Sequence, residues 1–296
     1  RSRRRGRAGN DMKIAIASGK GGAGKTTLAT VLTTVATRAG RDVVYADCDV
    51  EAPNGHLLLN PETESRLPVT RPIPVVDLDV CKRCGSCELA CQFGAILCLD
   101  QTVQVNPVLC KSCGACVAAC PRRAINEAPH VAGYVETGHA GAARWVQGEL
   151  NVGEARCIPV IDAVRAAASG AGDLVILDAP PGAACPMVAV VRDVDLVVLV
   201  AEATAFGLAD LTIAADAVKA LGLPTAVVIN RSNLGDRRTH AFCEKRGLPI
   251  LAEIPDLPEL SRAYAQGDLD RIIALLDRVP RRLLDALDAW PTRRAS

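Results

Sequence analysis

Aromatic side chains are scarce in this chain. Two tryptophans, three tyrosines and three phenylalanines make up 3% of the 296 residues. Surfaces that stack bases or sugars need more, so nucleic acid is not expected as a ligand. Net charge is nearly absent as well, at +1. No global field therefore draws the chain to nucleic acid or to an anionic membrane. No uninterrupted apolar run reaches the length of about 18 residues that a membrane-spanning helix needs. Arg1, Arg3, Arg4, Arg5 and Arg7 crowd the first residues, ahead of Met12, without an apolar stretch. Residues 1–11 thus read as a disordered basic tail or an upstream extension rather than a secretory signal.

Apolar residues reach 49%, enough for a substantial core. The length suits one large α/β domain with a small insert. Cysteine is abundant, at thirteen residues. Eight of them fall in two tight groups between Cys81 and Cys120. A secreted disulfide scaffold would be small and carry a signal, so closely spaced thiols here point to metal and to a reducing, cytoplasmic setting.

Met12–Ala17 reads as a buried strand, followed by a glycine-rich loop and a helix from about Lys25 to Ala39, stopped by Gly40. A second strand is expected at Val43–Ala46. Asn60–Pro74, rich in Pro, Thr and Glu, reads as a connection. Further apolar runs at Leu174–Leu177, Leu196–Val200, Ala226–Ile229 and Ile250–Ala252 alternate with helical patterns. That alternation predicts a mostly parallel sheet covered on both faces. The expected division is an α/β nucleotide-binding domain over 12–73 and 129–296, with 74–128 inserted as a small α+β unit. Leu269–Trp290 reads as a closing core helix, with membrane positioning the lesser alternative.

Gly19-Lys20-Gly21-Gly22-Ala23-Gly24-Lys25-Thr26 satisfies G-x-x-x-x-G-K-[ST], with a strand before it and a helix after it. Glycines let backbone N–H groups turn inward around phosphate, and the helix N-terminus adds partial positive charge. Lys25 is expected at the β- and γ-phosphates of ATP and Thr26 on Mg²⁺, with Thr27 completing the loop.

A second loop lysine, Lys20, resembles the signature of the MinD/ParA class of deviant-Walker ATPases. The resemblance implies a dimer, homomeric or with a paralogue, in which Lys20 crosses to the partner's nucleotide as an arginine finger would. It also implies that Asp49, in Asp47-Cys48-Asp49, orients the attacking water. For Asp47 two roles stay open: a Mg²⁺ contact or a loop cap. Asp178, opening Asp178-Ala-Pro-Pro-Gly182, would hold Mg²⁺ through water, with Gly182 moving as a second switch. Asn230 would hydrogen-bond adenine. Hydrolysis is expected to be slow and stimulated by a partner.

The cysteine region is an internal repeat. Cys81, Cys84, Cys87 and Cys91 recur as Cys110, Cys113, Cys116 and Cys120, each 29 residues later. The C-x₂-C-x₂-C-x₃-C spacing is that of bacterial ferredoxins, in which the fourth cysteine serves the other cluster. One [4Fe–4S] cluster is thus expected on Cys81, Cys84, Cys87 and Cys120, and a second on Cys110, Cys113, Cys116 and Cys91. Zinc, which prefers two separated pairs of ligands, fits the spacing less well. Cys48, Cys98, Cys157 and Cys243 read as buried packing residues. Cys185, soon after Gly182, is a candidate for a redox or metal role. Together these features resemble a MinD-superfamily ATPase carrying an inserted ferredoxin. The expected function is an ATP switch that gates electron delivery to a partner protein, with an assembly or positioning factor as the alternative.

Overall fold

The computed structural model describes residues 12–170 and 172–291. The basic run of residues 1–11 lies outside the described residues.

Eleven strands are described: β1 (Met12–Ala17), β2 (Val43–Asp47), β3 (Glu62–Val76), β4 (Ile96–Cys98), β5 (Val103–Val105), β6 (Ile125–Ala140), β7 (Ala143–Leu150), β8 (Leu174–Asp178), β9 (Leu196–Glu202), β10 (Thr225–Asn230) and β11 (Ile250–Ile254). Nine form one sheet in the order β11-β10-β9-β1-β8-β2-β7-β6-β3. The pairings from β11 across to β7 are parallel. The two at the β6 and β3 end are antiparallel.

The central strands are short Val/Ile/Leu/Ala runs buried on both faces, as a parallel sheet between helices requires. Alternate residues feed two cores. Ile14 and Ile16 pack with Leu28, Leu32 and the C-terminal helices Leu269–Leu276 and Val279–Asp288. Ala15 and Ala17 pack with Val160, Val164, Met187 and Leu211 on the other face. The closing segment Leu269–Trp290 is thus two core helices, broken at Asp277, whose φ is 48°. Among the described residues no helix is long and apolar enough to cross a membrane.

The reading of Asn60–Pro74 as a connection is corrected. Most of it belongs to β3, which pairs with β6 along its whole length. Pro68, Pro72 and Pro74 disguised it, yet β3 is the edge strand, where prolines are tolerated. β7 also went unread, because Gly148 interrupts it. That glycine is needed: a Cβ there would sit 2.5 Å from Val50 Cγ1 and 2.7 Å from Val164 Cγ2.

The β3–β6 ribbon carries residues 77–124 at one end. These contain the small β4–β5 pair and the short helices Ser86–Ala90 and Ala115–Ala119. The sequence repeat is also a backbone repeat. Left-handed φ values occur at Arg83 and Ser112, at Gly85 and Gly114, and at Gly94 and Arg123, each pair 29 residues apart.

Candidate functional site

The loop between β1 and the helix Lys25–Arg38 turns through Gly22 (φ 75°) and Gly24 (φ 99°). These values favour glycine and leave the N–H groups free of Cβ obstruction. Gly19 answers to a different constraint, since a Cβ there would lie 2.2 Å from the Asp210 carbonyl oxygen. Lys25 is buried. Gly21, Gly22, Gly24, Lys25, Thr26 and Thr27 line a cleft together with Asp49, Asn54, Pro181 and Asn230. Its far wall comes from Pro255–Leu257 and the helix Pro258–Ala265, a contribution not anticipated from sequence.

Asp47 and Asp178 end adjacent parallel strands and face each other in register. Asp47 is occupied with its own loop. Its Oδ1 accepts the Asp49 N–H at 3.1 Å, and its Oδ2 accepts the N–H groups of Asn54 (3.2 Å) and Gly55 (3.0 Å). Of the two roles left open for it, the loop cap is the one these contacts display.

Asp178 differs. Its Oδ2 accepts the Tyr45 hydroxyl at 3.2 Å, while its buried Oδ1 has no hydrogen-bond partner. Burial pushes its pKa up to about 8, with further repulsion from Asp47; the Thr26 hydroxyl and Lys25 oppose the shift. Burial raises Asp47 too, against the pull of its backbone N–H donors. Two buried carboxylates side by side repel, so one of them holds a proton unless a cation takes its place. The orphaned Asp178 oxygen beside Thr26 fits a hydrated Mg²⁺. Asp49 is half-buried and raised to about 6, by burial first and then Asp47, with Lys25 opposing.

Tyr45 organises this pair from below. It is fully buried, its hydroxyl also lies 3.4 Å from Asp47 Oδ2, and a Cβ at Gly55 would collide with it at 2.0 Å. The signal was present in the sequence as one of three tyrosines, two residues before Asp47 on an apolar strand.

Lys20 does not project from the loop. Its Nζ donates to Glu202 Oε2, and Arg231 Nη1 donates to Glu202 Oε1 at 2.8 Å. Glu202 is 4% exposed and was also missed, although it ends a parallel strand, where α/β sheets bind ligands. Asn230 donates to the Ala23 carbonyl at 2.9 Å and accepts the Arg231 N–H at 2.9 Å, so it clamps the phosphate loop. Gly182 (φ 95°) donates its N–H to the Ser18 carbonyl at 3.0 Å, tying the loop after Asp178 to the residue that follows β1. Cys185 is exposed and opens the helix Cys185–Val191, whereas Cys48, Cys157 and Cys243 are buried.

The remaining cysteines ring two hollows. Hollow 1 is lined by Cys81, Cys84, Cys87 and Cys120. Hollow 2 is lined by Cys110, Cys113, Cys116 and Cys91. In each, three thiols come from one half of the repeat and the fourth crosses over from the other. Backbone N–H groups donate to sulfur at matching places. Arg83 reaches Cys81 Sγ and Ser112 reaches Cys110 Sγ, both at 3.4 Å. Ala95 reaches Cys91 Sγ and Ala124 reaches Cys120 Sγ, both at 3.3 Å. Among the described residues no three His, Cys, Asp or Glu converge as a single metal ion would require. Cys98, read from sequence as packing, also lines hollow 1.

Residues 14–270 match the CobQ/CobB/MinD/ParA nucleotide binding domain family. The chain belongs to this family. A relative, the uncharacterized protein MJ0578 of Methanocaldococcus jannaschii, is 34% identical over 248 residues, spanning 83% of this chain and 87% of its own. Among solved structures, the septum site-determining protein MinD of Pyrococcus horikoshii with Mg-ADP has a TM-score of 0.55 at 18% identity, covering 95% of this chain and 96% of its own. The ParA family ATPase of Chlorobium tepidum has a TM-score of 0.56 at 14% identity, covering 94% and 99%. Those two likenesses are of fold. Within it, the MinD/ParA phosphate loop and the strand ends carrying Asp47 and Asp178 occupy one side of the sheet, at the C-terminal edges of β1, β2 and β8.

Proposed function

We propose that this MinD/ParA-family chain is an ATP-driven dimeric switch whose two thiol-ringed hollows hold [4Fe–4S] clusters, and that the nucleotide state gates electron delivery to a protein partner. The observation that carries the redox half is the crossed sorting of eight thiols into two rings, each with the same N–H to sulfur donors. A ring of thiols around a void suits a multi-atom iron–sulfur group better than a single zinc ion, and N–H donors to sulfur are a means of tuning its potential. The clusters would supply one-electron chemistry.

For the nucleotide half, the loop N–H groups and Lys25 hold the β- and γ-phosphates. Thr26 and Asp178 hold Mg²⁺, which offsets the phosphate charge. Asp49 orients the attacking water. Lys20 leaves Glu202 and reaches the partner subunit's nucleotide, supplying charge where the transition state needs it.

Coupling has a physical route. The Val50 carbonyl, one residue past Asp49, accepts the Leu150 N–H at 2.8 Å at the end of β7. Glu154, four residues on, accepts Arg71 Nε at 3.0 Å and Nη2 at 2.8 Å. Arg71 in turn donates to the Pro107 carbonyl at 2.7 Å, to Ser112 Oγ at 3.2 Å and to the Cys110 carbonyl at 3.4 Å. The first switch and the loop of hollow 2 are therefore joined by hydrogen bonds at the two ends of the short backbone segment 150–154.

The test is anaerobic. Protein reduced with dithionite is offered a candidate acceptor with and without ATP; reoxidation that needs ATP supports gating, and equal rates refute it. A second reading is favoured by the relatives that act in septum-site determination and cell division. It makes this chain a positioning or assembly factor with structural or sensing clusters, and equal rates would bring it forward.

A further inference from the structure

Hollow 1 contains one thiol more than a four-thiolate site uses. Cys98, the last residue of β4, lines it beside Cys81, Cys84, Cys87 and Cys120. Its Sγ lies 3.7 Å from Cys87 Sγ. Two contacts hold it there. The Cys98 N–H donates to Glu88 Oε2 at 3.3 Å, and Glu88 directly follows Cys87 in the helix Ser86–Ala90. On its other side Cys98 pairs with Val103 of β5.

Hollow 2 provides an internal control. The residue 29 positions after Cys98 is Glu127, and Glu127 lines hollow 2 at the corresponding place. Ala124 and Ile125 line hollow 1 where Ala95 and Ile96 line hollow 2. The two sites are thus alike in scaffold and in their four crossing thiols. They differ at a fifth position, which is a thiol in one and a carboxylate in the other. Soft thiolate suits iron–sulfur chemistry, whereas carboxylate suits harder ions.

We propose that Cys98 is an exchangeable fifth ligand of hollow 1, able to replace Cys87 on iron, and that hollow 2 has no such reserve. The proposal rests on the iron–sulfur reading above and adds to it which site is labile and through which residue. The exchange makes one iron–thiolate bond and breaks another. The Cys98 proton passes to the released Cys87 sulfur, and no electron is gained or lost. Because the incoming and outgoing sulfurs already lie side by side, the exchange needs no rearrangement of the β3–β6 ribbon. Hollow 1 is therefore the site that can open one iron position and close it again; the exposed Cys84 does not itself set it apart, since Cys113 of hollow 2 is exposed too.

The test uses the full chain, purified anaerobically and reconstituted with ferrous iron and sulfide. Alanine is the substitute, because a serine oxygen could itself bind iron. Wild type and Cys98→Ala should each hold about eight irons. Cys87→Ala should also hold about eight, with the spectrum of one reduced cluster altered in electron paramagnetic resonance. Cys87→Ala/Cys98→Ala and Cys116→Ala should each fall to about seven or fewer, having lost a cluster or one iron of it. Alkylation with iodoacetamide, read by mass spectrometry, gives a second measure. Cys98 should be modified in loaded wild type and protected in loaded Cys87→Ala. A Cys87→Ala protein with the iron content of the double variant, and with Cys98 still alkylated, overturns the proposal while leaving the clusters in place. Wild type that takes up zinc, or no iron at all, overturns the iron–sulfur reading and this inference with it. Nucleotide binding by each variant confirms that the chain has folded.

Discussion

Three side chains divide the work at the phosphate loop, and their substitution should separate accordingly. Lys25→Ala removes the positive charge expected to meet the β/γ-phosphates and should abolish nucleotide binding in a titration with a labelled ATP analogue. Lys20→Ala should leave binding intact and lose hydrolysis together with ATP-dependent dimerisation; normal hydrolysis by this variant would refute the cross-subunit role. Glu202→Gln should act in the opposite sense, because a buried carboxylate that holds Lys20 within its own subunit would compete with the proposed dimer for that lysine. Dimerisation of Glu202→Gln, followed by light scattering, should need less nucleotide than wild type, and the gain should vanish in a Lys20→Ala background.

Asp178 makes the pH dependence calculable in sign. Its pKa rises from 3.8 to about 8 in the metal-free fold, chiefly through burial and then through Asp47. The folded state therefore keeps a proton that the unfolded chain releases near pH 4. Over that window the native state binds more protons, so stability falls as pH rises and levels off above about 8. A cation that replaces the proton should relieve this. The increase in melting temperature on adding Mg²⁺ and nucleotide should accordingly be larger near the upper end of the window than near its middle. In Asp178→Asn the nucleotide-free protein should lose the Asp178 share of this fall, most visibly above about pH 6, while the shares of Asp49 and Asp47, whose pKa values are also raised, remain at lower pH. A metal-free melting temperature that stays flat or rises across the window would contradict the assignment.

At the scale of elements, the β3–β6 ribbon decides where the cysteine unit sits, and one ion pair decides how it is held. Arg71 and Glu154 are both almost fully buried and joined at 2.8 Å. Removing one partner of such a pair leaves a buried charge, at a cost of about 3–5 kcal/mol, whereas replacing both is often neutral. Arg71→Met should therefore lower the denaturation midpoint strongly, and Arg71→Met/Glu154→Leu should recover most of the loss. The double variant would then be the one in which to ask whether the proposed coupling between nucleotide and hollow 2 needs this pair. Gly19→Ala tests a second joint, the close approach of the phosphate loop to Asp210. It should impair nucleotide binding without altering the charge of the cleft.

For the whole molecule, coupling must be reciprocal. If nucleotide shifts the cluster potentials, reduction must shift nucleotide affinity by the same free energy, ordinarily about 1–3 kcal/mol or about 5- to 150-fold. Affinity for an ATP analogue measured on oxidised and reduced protein, with midpoint potentials measured with and without the analogue, should give matching values. Equal affinities and equal potentials would make the cysteine unit a passenger on the MinD/ParA fold.

Local spacing determined much of this protein before any folding was considered. A phosphate loop is a contiguous backbone device, so Gly19–Thr26 announces itself, as do the apolar runs of the central strands. The thiols of each half of the repeat are likewise close in sequence, and the resemblance to ferredoxin spacing implied which fourth cysteine crosses over. What lies far apart in the chain was hidden. Prolines hid the edge strand β3, since their cost depends on which neighbour pairs with them. Cys98 looked like packing until β4 brought it beside Cys87. Glu202 and Arg231 gained meaning only when β9 and β10 placed them against Lys20. The division of labour between Asp47 and Asp178 was decided by tertiary contacts too. Both are aspartates at strand ends, but only one is surrounded by the N–H groups of its own loop.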